Sequence, residues 1–530
     1  MTRNSMTNWL RRLTAMVALV AGLAFGGERT FGQVTFKAIQ PTGTWSASSS
    51  WNMSAVPGAS DYAYIGDAAG GLSTATITLT GDQSAQYTFL GNGDGTSGTL
   101  QLGNNTLSGL ELYVGTGGTG RGVVTRGTGK IVLTGTLTVY NNSFAYGAND
   151  TNKTLTVING TASTASTGNV GSNVNVYSGS TLTLNNSLNL TDIFNVATST
   201  VNAQGNTIAA AKEIGLDTGA VLNNRGTLTS AKLTVKNQAI DLRASDAVTV
   251  YNLINSSTTY VPGVSTNDLI LNNSTATTNS VGNVTRQVVL QNASTLTLNT
   301  DLTLSGSLNV GGSTVNANNR NITAPGFIQL YDSTARLVNR GNLITSTLSV
   351  TGQTFDIRAT DVIGTYIHNT GTTSLASGST LSALYLTNAP ATVRTATIGT
   401  VNLTTATILT VKSGQPTGLT VTDSTTGGIT INDTSKLRLE LDGAINGWAL
   451  RWANPAVGDH ITDLNTLIAA GKIDFTLTNG AGYFLSSVGG YTYLQPLAPV
   501  PEPATTMLIA VGGLASGWVI RRRRLAAAVV

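Results

Sequence analysis

Residues 168–208 read "GNVGSNVNVYSGSTLTLNNSLNLTDIFNVATSTVNAQGNTI", and residues 282–322 read "GNVTRQVVLQNASTLTLNTDLTLSGSLNVGGSTVNANNRNI". The second stretch begins 114 residues after the first. The match continues downstream: Asn224-Arg225-Gly226 corresponds to Asn339-Arg340-Gly341, and "AIDLRASDAV" from Ala239 to "TFDIRATDVI" from Thr354. These later offsets are 115, so one residue has been gained in a turn, and the chain contains a tandem duplication of a large unit. Within each copy a finer spacing appears. Ser180 ("STLTL"), Ser199 ("STVNA") and Ala220 ("AVLNN") lie 19 and 21 apart, and their counterparts Ser294, Ser313 and Ala335 lie 19 and 22 apart. Strands of four to six residues recurring at about 20, separated by Asn/Gly turns, predict one coil of a parallel β-solenoid. One such coil cannot bury its inward Leu, Val and Ile alone, whereas stacked coils bury them against one another.

Composition agrees with an all-β chain. Of 530 residues, 10% are charged, 6% aromatic and 40% hydrophobic, with 60 glycines and no cysteine. Without cysteine, stability rests on backbone ladders and packing. Low charge suits a stack in which like residues sit about 4.8 Å apart, where equal charges repel. The formal charge of +4 belongs to the ends. Setting aside residues 1–32 and 501–530 leaves 21 basic against 23 acidic side chains, so the body is near −2 and nucleic-acid binding loses its support.

The first residues, "MTRNSMTNWLRRLTAMVALVAGLAFGGERTFGQ", place Arg3, Arg11 and Arg12 ahead of the apolar run Leu13 to Phe25. That run is short for a membrane span and suits a secretory signal peptide over 1–32, with cleavage near Gly26 or Gly32. At the other end, Ala504 to Ile520 is uncharged over 17 residues and Arg521, Arg522, Arg523 and Arg524 follow at once. The expectation is a transmembrane helix over 504–520 with its basic end held in the cytoplasm. Pro501-Glu502-Pro503 precedes it as an extended tripeptide, because Pro503 disfavours the α conformation at Glu502.

Pro-Glu-Pro, a span and a terminal arginine cluster, in that order, resemble the PEP-CTERM sorting signal of Gram-negative bacteria. The resemblance implies an exported protein whose tail is processed by an exosortase, a membrane-embedded cysteine transpeptidase. It also implies passage through the secretion machinery, transient anchoring in the inner membrane, and delivery to the cell surface or extracellular matrix, commonly alongside exopolysaccharide. Residues 111–142, "ELYVGTGGTGRGVVTRGTGKIVLTGTLTVYNN", are similar to the Gly/Thr-rich repeats of autotransporter-type passenger β-helices. "TWSASSSWNMSAVPGASDYAYIG", with Trp45, Trp51, Pro57, Asp61 and Ile65, resembles the segment that precedes such repeats. This second likeness implies a β-helix body and no enzyme by itself.

The expected architecture is therefore an elongated parallel β-solenoid. Its divisions are an N-terminal cap with the first coils (33–110), Gly/Thr-rich repeats (111–167), two repeat units (168–281 and 282–396), final coils (397–436), a cap (437–497) and the sorting tail (498–530). A body of 468 residues at about 20–23 per coil predicts roughly 20 coils and a rod on the order of 80–100 Å. In the cap, Ile461, Leu464, Leu467 and Ile468 follow a helical period.

Residues with chemical potential are few. His368 and His460 are the two histidines, far apart and without a partner pattern, and read as surface or turn residues. Asp241/Arg243, repeated as Asp356/Arg358, is the best acid–base candidate. At i, i+2 both side chains share one strand face, as in parallel β-helix lyases, but duplication with its surroundings favours a solvated ion pair. "GNGDGTSG", Gly91 to Gly98, weakly resembles calcium-binding glycine-aspartate repeats and, occurring once, reads as a tight turn. Trp448, Trp452, Tyr491 and Tyr493 suit either sugar stacking or the sealing of a cap, with the cap favoured. No catalytic, cofactor or metal site is expected. The leading expectation is a non-enzymatic structural or adhesion-type surface protein; the alternatives are a polysaccharide-active, lyase-like enzyme and a carbohydrate-binding protein.

Overall fold

A computed structural model describes residues 33–497, apart from 70, 117, 394, 413–417, 433, 443–446 and 479–481. The described chain is nearly all β, with one short α-helix, and its parallel β-solenoid turns number about 17. The chain divides into two compact units, residues 1–231 and 232–530, the division falling within the first copy of the duplicated segment. The expected signal peptide (1–32) and membrane span (504–520) lie outside the described residues. Among the described residues no helix is long and apolar enough to cross a membrane.

Turns are fewer than the sequence period predicts because those near both ends are longer. Bonds joining neighbouring turns span 25 residues between Asp67 and Asn92, 18 between Asn255 and Asn273, and 28 between Thr407 and Ser435.

In each unit the alternation of the strands decides what is buried. Strand Asn152–Ile158 pairs in parallel with Val170–Tyr177, which pairs with Ile193–Val196, which pairs with Ile208–Leu216. This register stacks Leu155, Val174, Phe194 and Ile214 in one column, all fully buried. In the second unit Leu269, Val288, Leu308, Ile328, Leu348, Tyr366, Leu384 and Val401 form a corresponding column. Successive turns thus bury what one turn cannot.

The serine just ahead of each of four successive short strands has a specific task. Ser256 N–H donates to Ser274 Oγ (3.0 Å), Ser274 N–H to Ser294 Oγ (3.1 Å), and Ser294 N–H to Ser313 Oγ (3.1 Å). The four serines are buried, so each hydroxyl satisfies a corner amide of the turn before it. The residues just ahead, Asn255, Asn273, Ala293 and Gly312, have φ of 50°, 48°, 60° and 57°. Asn tolerates this left-handed corner better than other non-glycine residues, which accounts for the recurrent Asn before Ser.

"GNGDGTSG" forms the turn from strand Gln83–Asn92 to strand Ser97–Gln101. Asp94 Oδ1 accepts the Thr119 N–H (2.8 Å), and Gly95 N–H donates to Thr119 Oγ1 (2.9 Å), so the acidic residue joins two turns.

The closing region departs from the parallel pattern later than residue 437. Strand Lys436–Asp442 is still a parallel rung between Ile408–Lys412 and Ile473–Thr478. Leu450–Ala453 stacks in parallel on Leu419–Val421. Only then does a hairpin, Gly482–Val488 and Tyr491–Leu497, pair antiparallel with Leu450–Ala453 through its second strand. Gly489 and Gly490, at φ of 59° and 80°, form its two-residue turn, a geometry that favours glycine. The helical period is realised as helix Ile461–Ala469, with Leu464 buried.

Candidate functional site

Both histidines depart from the surface reading. His368 lies on strand Val362–Asn369, and its register partners are Val350 and Leu386. It therefore occupies an inward position in an aliphatic column and is fully buried. Its Nδ1 shares a 2.7 Å hydrogen bond with Tyr366 Oη, and Tyr366 Oη contacts Thr373 Oγ1 at 2.8 Å. Among the described residues its buried Nε2 makes no hydrogen bond of regular geometry. Burial holds the imidazole pKa below the ordinary histidine value, opposed in part by the Gln353 and Thr370 carbonyls.

His460 is 1% exposed at the N-terminus of the helix. Its ring stacks on Trp452 (3.8 Å between centroids, 8° between planes), with Nδ1 2.7 Å from Asp463 Oδ2 and Nε2 3.2 Å from Ser424 O. It ties the helix to the last turns. Nothing in the one-residue pattern around either histidine announced this; burial came from which strand face or cap surface they met.

The duplicated acid–base candidates are also absorbed by the scaffold. Asp356 lies on strand Phe355–Ile357, whereas Arg358 follows the strand. Instead of facing each other as an ion pair, Asp356 Oδ1 accepts from Ser374 Oγ and the Arg358 guanidinium donates to the Arg340 and Gly341 carbonyls. In the first copy, Asp241 and Arg243 lie outside any strand. Asp241 Oδ1 accepts the Thr259 N–H (3.2 Å), and the Arg243 N–H donates to Asp246 Oδ2 (2.8 Å).

The closely paired charges are ones the sequence reading did not select. Arg340 Nη1 and Nη2 donate to Asp361 Oδ1 (2.7 Å) and Oδ2 (2.8 Å), with side-chain exposures of 6% and 0%. Asp361 also accepts the N–H groups of Leu343 (3.0 Å) and Arg358 (2.8 Å). The signal was present in the "NRG" repeat: the equivalent residues of the first copy, Arg225 and Asp246, are buried as well.

Of the four cap aromatics, Trp452 is sealed inside, 1% exposed, with Nε1 donating to Asp423 O at 2.7 Å. Trp448, Tyr491 and Tyr493 are partly exposed and gather around Arg451. The Arg451 guanidinium lies 4.6 Å from the Trp448 ring centroid and 4.8 Å from that of Tyr491. Tyr493 meets Trp448 edge-on at 6.5 Å and 69°. Among the described residues no group of three or more potential metal ligands occurs.

These features define a parallel β-solenoid body followed by a tail with the signature of surface sorting. The family profile described as the PEP-CTERM protein-sorting motif matches residues 499–524. The chain thus carries the signal of an exported protein sorted to the cell surface, of the kind that exosortase processes. Neither a curated protein nor a solved structure matches the chain.

Proposed function

We propose that this protein is a non-catalytic scaffold of the cell surface or extracellular matrix, a β-solenoid delivered by its PEP-CTERM tail. The observation that carries the reading is the use made of the duplicated Asp/Arg residues. Asp356 and Arg358 are engaged by structural hydrogen bonds, and the Arg340–Asp361 pair is buried rather than presented to a substrate. An exported body without cysteine draws its cohesion from such bonds and from stacked apolar columns.

Delivery follows from the ends. Residues 1–32 engage the secretion machinery as a signal peptide. Ala504 to Ile520 spans the inner membrane transiently, Arg521, Arg522, Arg523 and Arg524 hold the C-terminus in the cytoplasm, and Pro501, Glu502 and Pro503 are presented to the exosortase at the outer face.

The mass of the protein recovered from the cell surface, with and without the processing enzyme, tests delivery. A surface form that retains Arg521 to Arg524 would reduce the tail to a plain anchor. Turnover of a polyuronate by the purified protein, with calcium present, would replace the scaffold reading with that of a lyase.

A further inference from the structure

We propose that the outer face of the closing region, centred on Arg451, is a binding site for an acidic glycan, a polysaccharide carrying uronic acid units. The inference goes beyond the scaffold reading and does not require it. Strand Leu450–Ala453 alternates Leu450 and Trp452 inward with Arg451 and Ala453 outward. Arg451 stands in register with Thr420 of the turn beneath and with Tyr493 of the antiparallel strand above. Its Nε donates to Thr420 Oγ1 at 2.9 Å, and Thr420 is 3% exposed, so the inner edge of the guanidinium is held by a buried hydroxyl. Trp448 and Tyr491, at 4.6 and 4.8 Å, confine the plane of the cation.

Nη1 and Nη2 are left over. Among the described residues they donate to no protein acceptor, and Arg451 takes part in none of the salt bridges, whereas Arg126, Arg286, Arg340 and Arg438 each have an aspartate. A guanidinium fixed on one edge and open on the other is a preorganised fork for a carboxylate. The rings of Trp448, Tyr491 and Tyr493 border that fork and offer apolar surface for the C–H face of a pyranose, with hydroxyls at the tyrosine tips. One fixed cation among aromatic rings, on a body of net charge near −2, suits a single uronate within a chain of hydroxyls. It does not suit a nucleic acid, which needs many phosphate contacts.

Retention of the full-length, detergent-solubilised protein in affinity gels containing polygalacturonate, dextran or polyglutamate tests this. The expected result is retardation by polygalacturonate alone, reversed by free glucuronate but not glucose, and weakened by salt. Arg451→Gln should lower the affinity about tenfold or more, because a charge-assisted pair is lost. Arg451→Lys, which keeps the charge but not the fork, should fall between, and its urea midpoint checks that the fold persists. Equal retention on dextran, equal retention on polyglutamate, or competition by glucose as effective as by glucuronate would each overturn the proposal. So would an Arg451→Gln protein that binds as well as the parent.

Discussion

Arg340 and Asp361, on successive turns, meet in a two-pronged ion pair of 2.7 and 2.8 Å that is closed off from solvent. The carboxylate is saturated, since the Leu343 and Arg358 amides also donate to it. The pair is therefore a node joining two backbone segments, residues 340–343 and 356–361. Taking away one partner leaves a buried guanidinium with no counter-charge. Asp361→Ala should cost about 3–5 kcal/mol in stability. The urea midpoint measures it, and a loss below about 1 kcal/mol would show that water reaches the arginine.

His368 has an internal control. The equivalent position of the first copy is Leu253, and its neighbour Tyr251 donates to Ile240 O (2.8 Å) without a histidine. His368→Leu should remove the buried Nε2, which makes no regular hydrogen bond among the described residues, and raise stability at neutral pH by about 1 kcal/mol. The folded-state pKa lies below the ordinary value of 6.5, so the unfolded chain binds the proton more readily. The stability contributed by the neutral ring is present above about pH 6.5 and is lost as pH falls from there towards the folded pKa. Midpoints measured between pH 7 and pH 5 should fall more steeply for the parent than for His368→Leu. Parallel curves would refute the assignment.

The serine ladder makes an equally local prediction. Ser274→Ala removes the acceptor of the Ser256 N–H, a bond of 3.0 Å in a buried corner. The expected loss is about 1–3 kcal/mol, the cost of an orphaned buried amide. Amide hydrogen exchange should quicken at Ser256 first.

At Gly98 the backbone of a neighbouring strand leaves no room for a side chain. A Cβ would lie 1.8 Å from Ile65 O and 2.5 Å from Gly91 N. Gly98→Ala should displace strand Ser97–Gln101 and destabilise the first turns by more than about 2 kcal/mol. Since Asp94 of the same segment is occupied by Thr119 N–H, calcium or a chelator should leave the melting temperature of the parent unchanged. A rise with calcium would restore the ion-binding reading of "GNGDGTSG".

Much of the solenoid is legible because its information is local and periodic. A turn must place a left-handed residue, a small buried hydroxyl and an alternating strand in order, and "GS", "NS" and "NAS" ahead of the apolar alternation spell that order out. The duplication likewise marks Arg225 and Arg340 as equivalent positions before either is seen to be buried. The tail is legible for another reason: its parts are read in sequence, as an extended motif, an apolar length and a charge cluster.

Contacts between distant segments were decided only by the tertiary structure. His368 looks polar and accessible in isolation, yet the register that aligns it with Val350 and Leu386 puts it inside. Asp356 and Arg358 have the spacing of partners, but the strand ends between them and each turns to another turn of the chain. Trp448, Arg451 and Tyr491 come together because an antiparallel hairpin folds back over the last parallel rung. The alternation of a strand specifies two faces; which face is buried, and against what, depends on the neighbour that pairs with it.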